Sequence, residues 1–326
     1  MDTIDGIFSI DSSSSFLTKA LDIFHHQYHT NRVYREFCNY LNVNPDDVRN
    51  LEGIPFLPIE FFKTKTILSG NENPKITFTS SGTTGSQVSR HIITDLKLYE
   101  ESFSRAFELF YGDVKDYCVL ALLPSYLERE GSSLIYMVDK LIEKSKHVES
   151  GFYLDDLGDL THRLLALQNS GSKVLLIGVS FALLDLAEIK KLDLKNTVIM
   201  ETGGMKGRRK EMIRNELHAI LKEAFGVKQI HSEYGMTELL SQAYSSGNGI
   251  FKCPPWMKIM TRDTEDPLSI QAHGKTGGIN VIDLANINSC SFIATQDLGK
   301  TFEDGSFEIL GRFDHSDVRG CNLMVI

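Results

Sequence analysis

Cys118-Val119-Leu120-Ala121-Leu122-Leu123 is an unbroken apolar run, ended by Pro124. A strand with apolar residues at every position is buried on both faces, as in a parallel sheet covered by helices. The flanking sequence repeats the theme. Upstream, Leu96, Tyr99, Phe103, Ala106, Phe107 and Phe110 recur at helical spacing, and Lys75 to Thr79 is rich in strand formers. Downstream, Leu134, Met137, Val138, Leu141 and Ile142 mark a helix, and Val174 to Ile177 a second buried strand. A helix follows around Phe181 to Ile189, then a strand from Thr197 to Met200. The next helix carries Ile213, Leu217, Ile220, Leu221 and Phe225, and Val227 to Ile230 is expected to be the next strand. This alternation predicts an α/β fold of mostly parallel sheets covered by helices. After about residue 250, short strands and Gly-rich turns predict a smaller β-rich subdomain. The first 60 residues read as helical and irregular. Leu51 to Phe62 is a Pro-punctuated apolar connector, and the Ser12 to Ser15 run is a loop or a helix start.

The 326 residues carry 34 Lys+Arg against 43 Asp+Glu, a net charge of −9. Hydrophobic content of 42% is ample for a core and excludes an acidic disordered chain. The acidic balance argues against a general nucleic-acid binder, which needs a broad basic surface. Val174 to Leu186 is interrupted by Gly178, Ser180 and Asp185, short of the roughly 20 apolar residues of a membrane span. The start Met1-Asp2-Thr3-Ile4-Asp5 is acidic where a signal peptide is basic. The five cysteines are scattered without CxxC spacing, so neither zinc nor a disulfide framework is indicated, and a reducing cytoplasm is expected.

Ligands of α/β sheets sit where loops leave the carboxyl ends of strands, and three loops at such places have unusual composition. Thr79-Ser80-Ser81-Gly82-Thr83-Thr84-Gly85-Ser86 combines glycines with hydroxyls, either a flexible polar turn or a cradle for phosphate oxygens. His231-Ser232-Glu233-Tyr234-Gly235-Met236-Thr237-Glu238 offers an aromatic face, hydroxyls and carboxylates. It suits base stacking and Mg²⁺, or else is a strand end with a capping Thr-Glu pair. Glu201-Thr202-Gly203-Gly204, followed by Lys206, Arg208, Arg209 and Lys210, is either an anion site or a solvated basic helix start. Gly274-Lys275-Thr276 is not a Walker A ending, because Ser269 stands where the motif needs glycine and a strand-like segment follows.

In this order the loops resemble the adenylate-forming superfamily of acyl-CoA synthetases, adenylation domains and luciferases. Thr79 to Gly85 (TSSGTTG) resembles its phosphate loop, and Tyr234 to Glu238 (YGMTE) its adenine and magnesium motif. Gly274 to Leu284 (GKTGGINVIDL) is similar to its glycine turn and strand. Thr295-Gln296-Asp297-Leu298-Gly299 resembles the ribose segment, and Gly311-Arg312-Phe313-Asp314 the hinge before the mobile lid. Within the superfamily the chain resembles the acyl-protein synthetase (LuxE-type) family. That likeness rests on Ile54 to Lys63 (IPFLPIEFFK), Glu201 to Gly204 (ETGG) and Ser316 to Cys321 (SDVRGC).

The resemblance implies ATP and Mg²⁺ as cofactors and activation of a carboxylic acid, a fatty acid in that family, as acyl-adenylate with release of pyrophosphate. The acyl group then passes to a thiol, here Cys321. It implies nucleotide contacts from Ser80, Ser81, Gly82, Thr83, Thr84, Gly85, Gly203, Gly204, Tyr234, Gly235, Met236, Asp297 and Arg312. Thr237 and Glu238 are implied in catalysis, with Glu238 as metal ligand. An adenylate-forming N-terminal domain over residues 1–310 is expected, with its β-rich part at about 250–310, then a hinge and shortened tail at 311–326. Residues 315–326 contain no lysine, where fuller members of the superfamily carry a lid domain with a catalytic lysine, and Arg90 follows the phosphate loop where a lysine is usual. Alternative acceptors are CoA or a carrier protein, a reductase is a possible partner, and a nucleotide-binding subunit without catalysis is the competing class.

Cys321 has independent merit, since a thiol reacts as thiolate and Arg319, Arg312 and His315 lie near it in sequence. An incidental terminal cysteine is the plainer reading. Cys38, Cys118, Cys253 and Cys290 are expected to be structural, and His91, just after the hydroxyl-rich loop, either lines the site or, more often for such a residue, is an ordinary surface or capping histidine.

Overall fold

The computed structural model describes residues 6–80, 87–124, 131–154, 156–203, 209 and 212–313. The chain forms two compact units. One joins residues 1–70 to 255–326, and the other is residues 71–254.

The discontinuous unit begins with α1 (Ser13–Thr30) and α2 (Arg32–Tyr40). Ser12 caps α1 in a reciprocal capping box with Ser15, so the serine run is a helix start. β1 (Leu57–Pro58) and the short α3 (Phe61–Thr64) follow. The apolar connector is therefore part of the sheet, since β1 runs parallel to Ile293–Ala294.

The continuous unit opens with β2 (Ile76–Thr79) and β3 (Arg90–Ile93), an antiparallel pair. Next come α4 (Leu96–Tyr111), β4 (Tyr117–Leu122), α5 (Ser133–Ser145), β5 (Gly151–Phe152) and α6 (Leu157–Ser170). After them lie β6 (Lys173–Val179), α7 (Ser180–Ile189), β7 (Thr197–Thr202), α8 (Arg214–Phe225), β8 (His231–Tyr234), β9 (Ala243–Ser245) and β10 (Ile250–Phe251). The sheet order is β5-β4-β6-β7-β8-β9, parallel except for β9. Every residue of β4 is buried, as its apolar run requires.

Two expectations change. The hydroxyl-rich loop joins the two strands of a separate hairpin, because Arg90–Ile93 pairs back on Ile76–Thr79; it does not leave the parallel sheet. The strand expected at Val227 to Ile230 lies at His231–Tyr234 instead. Polar Ser232 and Glu233 are buried there, their cost offset by ladder pairing with β7 and, for Glu233, by the Thr202 hydroxyl. On α8, Leu217, Leu221 and Phe225 face inward, whereas Ile213 and Ile220 are exposed.

The first unit ends with β11 (Met257–Arg262), β12 (Gly277–Asp283), β13 (Phe292–Thr301) and β14 (Phe307–Arg312), which pair antiparallel in succession. Phe24, Tyr34 and Phe56 meet Phe292 with ring centroids 6.0–6.4 Å apart, burying α1 and α2 against the sheet. Gln27 donates to the carbonyls of Asn286 (3.1 Å) and Ile287 (2.8 Å), and Asn31 to Ser289 O at 2.8 Å. No helix among the described residues is long and apolar enough to cross a membrane.

Candidate active site

In the continuous unit, β7 and β8 are parallel neighbours in which Thr202 stands opposite Glu233. Gly203 and Gly235 therefore leave adjacent carboxyl ends of the sheet. The hairpin of β2 and β3 reaches the same edge. His91 on β3 is fully buried, and its Nδ1 lies 2.8 Å from Thr237 O. The carbonyl only accepts, so Nδ1 carries the proton. Ser80 and Ser89 close the neck of the hairpin loop through Ser80 N to Ser89 O (3.2 Å) and Ser89 N to Ser80 Oγ (3.0 Å). Ser81 to Gly85 and Gly204 lie outside the described residues. Even so, Ser80, Gly203, Tyr234, Gly235, Met236, Thr237 and Glu238 belong to one unit and to the hairpin and strand ends linked by His91. The sequence favours a surface or capping histidine over a site-lining one at His91, and the separation of 146 positions from Thr237 hides both its burial and this link.

The polar groups beneath this edge are buried and differ in charge balance. Burial alone would raise Glu201, but Arg214 Nε at 3.4 Å and His218 Nε2 at 3.6 Å hold it below the ordinary carboxylate range. Ser180 Oγ donates to Gly203 O at 2.9 Å, fixing the start of the ETGG loop. Glu233, on the next strand, is pushed up from 4.5 to about 7 by burial. Its neighbours are the Thr202 hydroxyl, which donates to Oε2 at 2.5 Å, and the acidic Glu201. Gly235 lies so close to the Glu233 carboxylate that a Cβ there would collide with it. Tyr234 is 8% exposed with its ring edge-on to Phe251, so only a rim of that ring faces outward. Glu238 is buried, and Thr237 half-buried.

In the discontinuous unit, Asp297 and Arg312 stand opposite each other on β13 and β14, with Arg312 Nε donating to Asp297 Oδ1 at 2.9 Å. The Asp297 side chain is 8% exposed and that of Arg312 77%.

Cys321 and Asp314 lie outside the described residues. Cys38, Cys118 and Cys290 are buried, and burial pushes their thiols up to about 12, 11 and 12, unsuited to nucleophilic work at neutral pH. The described residues contain no cluster of three or more His, Cys, Asp or Glu able to hold a metal.

The family model described as acyl-protein synthetase, LuxE, matches residues 7–326. A long-chain-fatty-acid–luciferin-component ligase of Vibrio harveyi is 25% identical over 324 residues, covering 92% of this chain and 84% of that protein. A ligase of the same name from Photorhabdus luminescens is 41% identical over 73 residues, 22% of this chain and 62% of that one. Among solved structures, ATP-bound MatB from Rhodopseudomonas palustris aligns with a TM-score of 0.54 at 18% identity, covering 74% of this chain. The chain spans about half of MatB, 49% of its length. A 2-hydroxyisobutyryl-CoA ligase in complex with its acyl-AMP and CoA aligns with a TM-score of 0.68 at 13% identity, over 95% of this chain and 70% of that one. At such identities these structures establish the adenylate-forming fold.

Proposed function

The chain belongs to the acyl-protein synthetase (LuxE) family of ATP-dependent ligases, and from that premise we propose that it activates a long-chain fatty acid as acyl-adenylate and transfers the acyl group to its own Cys321. The supporting observation is the His91–Thr237 contact, which ties the hairpin bearing the hydroxyl loop to the strand end bearing Tyr234–Glu238. Backbone amides of the loop from Ser80 to Gly85 receive the phosphates, and Tyr234, Gly235 and Met236 receive the adenine, with Gly203 and Gly204 alongside. Asp297 accepts from the ribose hydroxyls, with Arg312 beside it.

A carboxylate oxygen attacks the α-phosphorus, and the bond to pyrophosphate breaks. The Cys321 thiolate, its proton released to solvent, then attacks the acyl carbon; the anhydride C–O bond breaks and AMP leaves. Carboxylate and α-phosphate are both anionic, so amide dipoles and the Thr237 hydroxyl near the junction lower the barrier by opposing their repulsion. Holding both reactants in one pocket supplies much of the rest. Glu238, a carboxylate buried just past the end of β8, would hold Mg²⁺ through an oxygen, the kind of ligand this ion prefers. When bound, that ion adds further charge screening. Burial raises the thiols of Cys38, Cys118 and Cys290, which supports Cys321 over those three as the proposed acceptor, and the half-buried Cys253 is separated from it by the Cys321→Ser test.

Intact-mass spectrometry after incubation with ATP, Mg²⁺ and a panel of long-chain acids tests the proposal. The wild-type chain is expected to gain one hydroxylamine-labile acyl group. Cys321→Ser is expected to gain none while keeping acid-dependent pyrophosphate exchange. Labelling that survives in Cys321→Ser places the acceptor elsewhere, and an absence of exchange with every acid removes the adenylation reading. Glu238→Gln is expected to depress the Mg²⁺-dependent exchange.

A further inference from the structure

The pairing of β12 with β13 is interrupted where the candidate ribose segment begins. Gly278 faces Leu298 and Asn280 faces Ala294, so the single residue Ile279 opposes three: Thr295, Gln296 and Asp297. Such a bulge leaves backbone groups without ladder partners and re-aims the side chains it carries. Here one side chain from a third strand fills the gap. Arg262, on β11 and 9% exposed, donates from Nη1 to Ile279 O (2.8 Å) and Asn280 Oδ1 (2.9 Å), and from Nη2 to Thr295 O (2.5 Å). Its guanidinium lies over Gly278, where a Cβ would come 2.6 Å from Cζ, so the glycine makes room for the cation.

Each bulge residue is then fixed in turn. Thr295 Oγ1 donates to Ile279 O at 2.9 Å and accepts from Asp297 N at 3.1 Å. The Gln296 amide donates to Glu60, and Gln296 O accepts from Phe313 N at 2.8 Å. Asp297 also meets Arg312, but that side chain is 77% exposed, and so solvated an ion pair orients weakly. The buried fork of Arg262 is the stronger constraint.

We propose that Arg262 is a positioning residue of the nucleotide site: by satisfying the carbonyls that the β13 bulge sets free, it fixes the direction in which Asp297 presents its carboxylate to the ribose. This rests on the reading of Asp297 as the ribose acceptor. A structural arginine would serve stability alone, whereas a positioning one governs discrimination between nucleotides that differ only in the ribose.

Calorimetric titration of the full chain with ATP, 2′-deoxy-ATP and 3′-deoxy-ATP, all with Mg²⁺, separates the two. The wild type is expected to prefer ATP over at least one deoxy analogue, and Asp297→Asn to lose that preference. In Arg262→Lys a single ammonium cannot span both strand carbonyls and Asn280. Its preference is expected to fall about tenfold toward that of Asp297→Asn, more than its affinity for the deoxy analogue falls. Thr295→Val, milder and isosteric, is expected to lose a smaller part of the preference and carries the test if Arg262→Lys does not fold. If Asp297→Asn loses the preference while Arg262→Lys, or Thr295→Val in its place, keeps it or weakens all three nucleotides equally, the positioning role is overturned and the ribose reading stands. If Asp297→Asn itself keeps the wild-type preference, or the wild type has none, the ribose reading falls and the role of Arg262 with it.

Discussion

The end of β8 and the bulge of β13 each place a buried carboxylate beside a candidate nucleotide loop, and they keep it by opposite means. Glu233 has a hydroxyl and another acid for company, and burial holds its proton to about pH 7. Asp297 has Arg312 on one side, and its backbone is fastened through Thr295 to a buried guanidinium. The first arrangement keeps the Glu233 proton up to about pH 7, which limits its desolvation cost, but it gives way as that proton leaves. The second carries charge into the interior and depends on the geometry of one arginine.

The largest expected effect breaks the charged side. Arg262→Met removes the donors to Thr295 O and Asn280 Oδ1 and leaves Ile279 O with its bond from Thr295 Oγ1, and should cost about 4 kcal/mol of unfolding stability in urea titration. A loss under about 1 kcal/mol would show that water replaces the guanidinium at once.

The neutral side breaks along pH. In the folded chain Glu233 keeps its proton to about pH 7, against an ordinary value of 4.5. Between those limits the folded state binds more protons than the unfolded one, so stability falls as pH rises. The contribution is whole below pH 4.5 and gone above about pH 7, on the order of 3 kcal/mol across the window. Glu233→Gln imitates the protonated form and should flatten that slope, gaining on the wild type as pH goes from 5 to 8. Parallel thermal melts check this, and unchanged slopes would mean that Glu233 is ionised throughout.

The smallest effect sharpens the picture of the loop. His91→Phe puts a larger ring at this buried position and removes the donor to Thr237 O, an expected loss of about 1–2 kcal/mol. Activity should fall further than that, because the hydroxyl loop is no longer tied to Thr237. Exchange rates that track stability alone would reduce His91 to packing.

What could be read in the chain beforehand follows from the same physics. β4 and β6 were visible through their apolar runs, Cys118 to Leu122 and Val174 to Ile177, and α4, α5 and α7 through their apolar residues. β8 was misplaced by four residues because its sequence, HSEY, is polar, and what makes it a strand is pairing on both sides. The loops proposed to bind the nucleotide stood out by composition, since close backbone approach needs glycine and phosphate needs donors. Arg262 was not. Nothing within several residues of it signals a ligand, and its role exists only once three strands align. The one local trace is the pair Gly277-Gly278, which reads as a turn until the cation lying over it is seen.

The first unit is assembled from the two ends of the chain, with Gln27 and Asn31 reaching carbonyls near residue 289. During vectorial synthesis α1 and α2 emerge long before the strands they must cover, whereas residues 71–254 contain their whole sheet and can fold as soon as they leave the ribosome. Until then Ile23, Phe24 and Tyr34, all fully buried in the finished protein, stay open to chaperones and proteases. Slowing translation just before Ser289 should therefore lengthen the vulnerable life of the nascent amino terminus far more than that of residues 71–254 behind it.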